Sequence, residues 1–143
     1  MKTLLMLYFL GHLVFMRGSD MPITTDVLGF QAWTGGLLAY GHREKIPALY
    51  DIKPYTIITG VYSDGSSQRF KLVQRGELPH LESKPINETY FMHKGKYVTT
   101  STVLEYFSSP DSITIYTCWP KSGELQGGLF LELAPIIEVE NVP

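Results

Sequence analysis

Apolar residues along the chain come in short β-branched and aromatic runs, cut by Gly, Pro, Ser and Asp. That pattern predicts strands rather than helices. Tyr55 to Tyr62 (YTIITGVY) is one such run, and it ends at Ser63-Asp64-Gly65, a hairpin turn signal. Arg69 to Val73 then alternates as a half-buried strand does. Tyr90 to Thr100 reads as strand on either side of a Lys94-Gly95 turn, and Ile113 to Cys118 as a short strand. Leu129 to Leu133 and Ile136 to Val139 close the chain, with Pro135 between them as a bulge or strand edge. Lys45 to Asp51 allows one helical turn, limited by Pro47. Thr102 to Phe107 predicts a short helix stopped before Pro110. Many short strands with turn residues between them describe an all-β barrel or sandwich with short helical turns in its connections.

The amino end is apolar from Thr3 to Met16, interrupted by Gly11 and His12. After Lys2, this reads as a signal-like core or a truncated membrane anchor, and it falls short of the ~20 residues that span a bilayer. It reads equally as an apolar tail before a first strand at Leu13 to Phe15. The expected division is an apolar segment over 1–12 and a barrel domain over 13–143.

Length and charge narrow the class. A chain of 143 residues fits one domain, and 44 % apolar with 18 % charged residues fits a globular one. A net charge of −2 gives no electrostatic footprint for nucleic acid. The Asn87-Glu88-Thr89 triplet matches a glycosylation sequon but is common by chance. Nothing in the pattern calls for a cofactor, and no Cys/His spacing suits a metal.

A single cysteine excludes an internal disulfide. Cys118 is then either a small buried hydrophobe or a nucleophile. It ends an apolar strand in Tyr116-Thr117-Cys118-Trp119-Pro120, where a side chain is held firmly yet opens onto a loop. Thr117 and Trp119 flank it and are candidate substrate contacts. His42 also ends a strand, Leu37 to Gly41, and is followed by solvent-seeking Arg43 and Glu44. His12, His80 and His93 sit in weaker contexts.

These segments resemble the sortase family of cysteine transpeptidases. Leu37 to Lys45 (LLAYGHREK) is similar to the family segment in which a strand ends at an Ala-Gly-His-type triplet. Ile113 to Pro120 (ITIYTCWP) is similar to its Thr-Leu-x-Thr-Cys strand. Ile52 to Val73, Thr102 to Ser112 and Leu13 to Ile23 resemble its hairpin, the stretch before the Cys strand and the first barrel strand. The resemblance implies a closed β-barrel with Cys118 as nucleophile and His42 as proton partner. It implies cleavage of a sorting-signal peptide through a thioacyl intermediate and transfer to an amine of cell wall or pilin. It also implies an extracytoplasmic, cell-surface location, with membrane association through the amino-terminal segment.

Two departures stand out. Lys53-Pro54-Tyr55 lacks the family's Gly-Asp turn, and Gly127-Gly128 stands where the family carries an arginine after the Cys loop. No basic residue follows Lys121, so Arg43, Arg69 and Arg75 are the candidates to replace it. The alternatives are a non-catalytic sortase-like barrel that binds peptide, and an unrelated barrel with a structural cysteine.

Overall fold

The computed structural model describes residues 2–17, 27–33, 35–43, 46–81 and 89–137, and every statement below concerns these. Glu44, Lys45, Asn87 and Glu88 lie outside them, as do Ile23 and the last residues of the expected Ile136 to Val139 strand.

Ten strands are present: β1 Leu4–Phe9, β2 His12–Arg17, β3 Val27–Trp33, β4 Gly36–Tyr40, β5 Ile57–Tyr62, β6 Ser67–Leu81, β7 Tyr90–His93, β8 Lys96–Thr99, β9 Ile113–Trp119 and β10 Gly127–Pro135. A 3-10 turn, Pro47–Asp51, and one helix, α1 Thr100–Tyr106, lie in connections. The strand order is β10-β9-β4-β3-β2-β1-β5-β6-β7-β8, and β10 also pairs with β6. That last pairing closes eight strands into a barrel, with β7 and β8 as a hairpin extending from β6. Closure removes the free edges an open sheet exposes. Most neighbours are antiparallel; β2–β3 and β4–β9 are parallel.

The apolar amino end is strand. Leu4, Leu7 and Phe9 of β1 and Val14 and Met16 of β2 enter the barrel core, and β1 lies between β2 and β5. The barrel thus takes in residues expected to precede it. A two-residue turn with positive φ at Leu10 and Gly11 joins the two strands, the backbone that a tight hairpin requires. No helix among the described residues is long and apolar enough to cross a membrane.

Two apolar clusters share the sheet. Odd positions of β9 and β10 (Ile113, Ile115, Leu129, Leu131, Leu133) point into the barrel with Ile46, Leu49 and Ile52. Even positions face out, where Phe130 packs with Phe91, Val103, Leu104 and Phe107 of the β7–β8 hairpin and α1. The period-2 alternation of a strand produces this division. Thr99 caps α1 by accepting from the Thr102 N–H at 3.3 Å. Beyond the helix, buried Glu132 accepts from Gln74 and Ser109, each at 2.6 Å, and ties α1's exit to β10 and β6.

Candidate active site

The site is built on the parallel pair β4–β9. Leu37 pairs with Ile113 and Tyr40 with Tyr116, so the two strands run side by side in one direction. Past Tyr40, the Gly41 N–H donates to the Tyr116 carbonyl at 3.3 Å, and the Thr117 hydroxyl donates to the Gly41 carbonyl at 2.8 Å. The next residues on the two strands are His42 and Cys118. Residues 76 positions apart in sequence thus end adjacent strands at the same mouth of the barrel.

Cys118 is half-buried and forms no disulfide. In register it pairs with Gly128 of β10, and Gly128 pairs with Leu78 of β6. Alternation puts Cys118 on the outward face shared with Tyr116 and Phe130, not on the core face. Its own carbonyl accepts a hydrogen bond from the Tyr50 hydroxyl, which anchors the strand end to the 3-10 turn. His42 is exposed.

The flanking candidates fall on the other face. Thr117 is 2 % exposed, and its hydroxyl is committed to Gly41. Trp119 packs partly against the barrel core, and its carbonyl accepts from the Gln126 N–H at 2.9 Å.

The three arginines have separate places. Arg43, beside His42, donates to the Pro120 carbonyl at 2.8 Å and to the Gly123 carbonyl. It clamps the loop between β9 and β10 onto the strand end that carries His42. Arg75 pairs in register with Leu131, on the core side of the sheet. It holds the Tyr50 and Ile52 carbonyls at 3.3 and 3.4 Å and forms an ion pair with Glu77 at 2.8 Å. Arg69 pairs with Thr59 at the other end of β6, on the order of 30 Å along the strand from Leu78 at ~3.3 Å per residue. Of the three, Arg43 alone borders the strand ends of His42 and Cys118.

The surface around Gly128 is aromatic. A Cβ on Gly128 would come within 2.8 Å of Phe130, 2.9 Å of Tyr116 Cε1 and 3.0 Å of Phe91. The Tyr116 and Phe130 rings stack with centroids 4.8 Å apart and 6° between planes, and Phe91 meets Tyr116 edge-on at 6.0 Å. Burial, and to a lesser degree the negative charge available at Cys118, push the Tyr116 phenol above its usual pKa. Sequence reading passed over Tyr116 because a tyrosine in a strand is ordinary core filler. The empty position opposite Cys118 becomes visible only once the β9–β10 register is known.

His80 of β6 lies beyond Leu78 on the same strand, and its N–H donates to the Gln126 carbonyl at 2.9 Å. His93 packs on Tyr106 at 4.4 Å in the outer cluster, and His12 begins β2 away from the site. Among the described residues no group of His, Cys, Asp or Glu is arranged to hold a metal.

This barrel, with its parallel β4–β9 seam, is a sortase-like fold. It superposes on sortase A from Corynebacterium diphtheriae with a TM-score of 0.61 at 14 % identity, covering 100 % of this chain and 65 % of that one. Sortase C from Clostridium perfringens SM101 gives 0.59 at 12 % identity, over 94 % of this chain and 70 % of that one. Streptococcus agalactiae sortase C1 gives 0.59 at 11 % identity, over 94 % and 68 %. The chain therefore spans about two thirds of the length of these structures. No family model matches the sequence, and no curated protein matches it.

Proposed function

We propose that the protein is a cysteine transpeptidase that cleaves a sorting-signal peptide and joins it to an amine at the cell surface. The observation that carries this reading is the adjacency of the strand ends bearing His42 and Cys118, on a sortase-like barrel. The Cys118 thiolate adds to the carbonyl of a threonine-like residue, and the peptide bond breaks to leave a thioester. His42 carries the positive charge that favours the thiolate and protonates the departing nitrogen. An amine of cell wall or pilin then displaces the thiol. Thr117 acts by fixing His42's strand against Cys118's, and Trp119 by shaping the wall behind the nucleophile.

A second reading has an observation of its own. Gly128 presents no side chain opposite Cys118, and aromatic rings fill the space a longer residue would need. A barrel that binds an extended peptide without turnover would tolerate that filling. A library of threonine-containing sorting-signal peptides, incubated with an amine acceptor, separates the two. Amide products that vanish in Cys118→Ala support the enzyme. Peptide binding that persists with no product in the parent protein supports the binding barrel.

A further inference from the structure

Acyl transfer at Cys118 creates a negative oxygen on the attacked carbonyl, and the outward face must supply a donor for it. Along the row that crosses the sheet at Cys118, Gly128 has no side chain and Leu78 is apolar. The row behind it carries Tyr40, Tyr116 and Phe130. The Tyr116 ring leans out of that row, so that its Cε1, next to the carbon bearing the hydroxyl, lies 2.9 Å from where a Cβ on Gly128 would be. Gly128 is the residue directly opposite Cys118. The edge of the Tyr116 ring, together with those of Phe130 and Phe91, therefore takes up the space that a side chain opposite the nucleophile would fill.

We propose that the Tyr116 hydroxyl is the oxyanion donor for acyl transfer at Cys118, an inference that rests on the transpeptidase reading above. Four further observations agree with it. Stacking on Phe130 and the edge contact from Phe91 hold the ring in one orientation, so the donor is set before substrate arrives. No described residue takes the hydroxyl's proton in a hydrogen bond. A phenol whose pKa is raised above 10 by burial stays protonated near neutral pH, as a donor must. Arg43, the arginine next to His42 in the chain, is already spent on the Pro120 and Gly123 carbonyls.

The thiolate sulfur forms a bond to the carbonyl carbon, and the π pair moves onto oxygen, where the Tyr116 O–H donates to it. The pair then returns, the C–N bond breaks, and the leaving nitrogen takes a proton from the His42 imidazolium. An incoming amine adds to the thioester carbon and gives its proton to His42. The same oxyanion forms on the same donor, and the C–S bond breaks to restore the thiolate. Tyr116 loses no proton at any stage.

Two small electrophiles test this without a known peptide. p-Nitrophenyl acetate acylates a thiolate through a tetrahedral oxyanion; iodoacetamide alkylates it by displacement, with no oxyanion. In Tyr116→Phe, acylation of Cys118 should fall about ten- to a hundredfold, at or somewhat below the usual loss for one oxyanion donor. Alkylation should keep the parent rate. Equal rates in parent and variant for both reagents would overturn the proposal. Equal slowing of both would also overturn it, because Tyr116 would then act on the thiol. A parent Cys118 that alkylates but never acylates defeats the acyl-transfer reading itself, whatever the variant does. If Tyr116→Phe unfolds, 3-fluorotyrosine at position 116 keeps the ring and strengthens the donor. At pH 6 it should speed acylation and leave alkylation unchanged; no change in acylation would overturn the proposal.

Discussion

Thr117 and His93 show how differently two polar side chains can be used in one small barrel. Thr117 faces the core, where an unpaired hydroxyl would be costly, and it finds the Gly41 carbonyl at 2.8 Å. That bond joins the strand of His42 to the strand of Cys118. Thr117→Val keeps the volume and removes the donor, leaving the Gly41 carbonyl short of a partner. We expect a loss of about 1–2 kcal/mol in urea unfolding. The enhancement of Cys118 alkylation at pH 6 to 7 over the unfolded-state thiol should fall as well, because His42 is no longer held in register. His93 is half-buried against Tyr106 and Phe107, and its Nε2 is buried with no hydrogen-bond partner among the described residues. Burial first, and then the neighbouring Lys94, lower its pKa below 6.5. The unfolded chain thus binds this proton more tightly than the folded one. Stability should be full above about pH 6.5 and should fall as pH drops from there toward the folded pKa. His93→Gln should flatten that part of the curve in denaturant titrations at successive pH values. An unchanged slope would contradict the assignment.

At the scale of the element, β-branched and aromatic runs bounded by turn residues were legible as strands, and strands without such bounds were missed or cut short. β5, β9 and the β5–β6 turn follow from β-branched runs and Ser63-Asp64-Gly65, where Gly65 has φ +86°. β1 was open to three readings because its outward residues Leu5 and Tyr8 are also apolar, so no period of 2 shows. β6 runs to Leu81, far past the expected Val73, although Gly76 and Pro79 look like breakers. Gly76 is needed there: a Cβ would meet the Phe107 ring at 2.6 Å. Pro79 pairs with Gly127, the first residue of β10, where a missing N–H is tolerated near the ladder's end. The candidate pair was legible because each residue ends a strand in a recognisable segment. The aromatic cover over Gly128, the residue opposite Cys118, was not legible, since register is a tertiary property. Two substitutions check the element-scale account. Leu7→Ala should cost about 2–5 kcal/mol in urea unfolding, the range for a truncated core leucine. A near-neutral result would return β1 to the status of a loose tail. Gly127→Ala should be severely destabilising, because its Cβ would overlap the Leu78 carbonyl on β6. An arginine at 127 therefore has no room, and one at 128 has to displace the Tyr116, Phe130 and Phe91 rings.

At the scale of the whole molecule, closure brings local strand ends together as a candidate site. The β10–β6 pairing makes the barrel rigid where β9 and β10 meet, and the parallel β4–β9 seam sets His42 and Cys118 at one mouth. Parallel pairing needs a long crossover, here from Tyr40 to Ile113, which no local pattern announces. The outer aromatic cluster lies behind that seam and sets the ring of Tyr116. In the proposed reaction this arrangement carries an acyl group on Cys118. The direct measurement is intact-protein mass spectrometry after brief incubation with threonine-containing sorting-signal peptides and no amine acceptor. The expected result is a mass gain equal to the amino-terminal peptide fragment less one water, located on Cys118, removed by hydroxylamine and absent in Cys118→Ala. A protein that binds these peptides, keeps a reactive Cys118 and yet never gains that mass would contradict it.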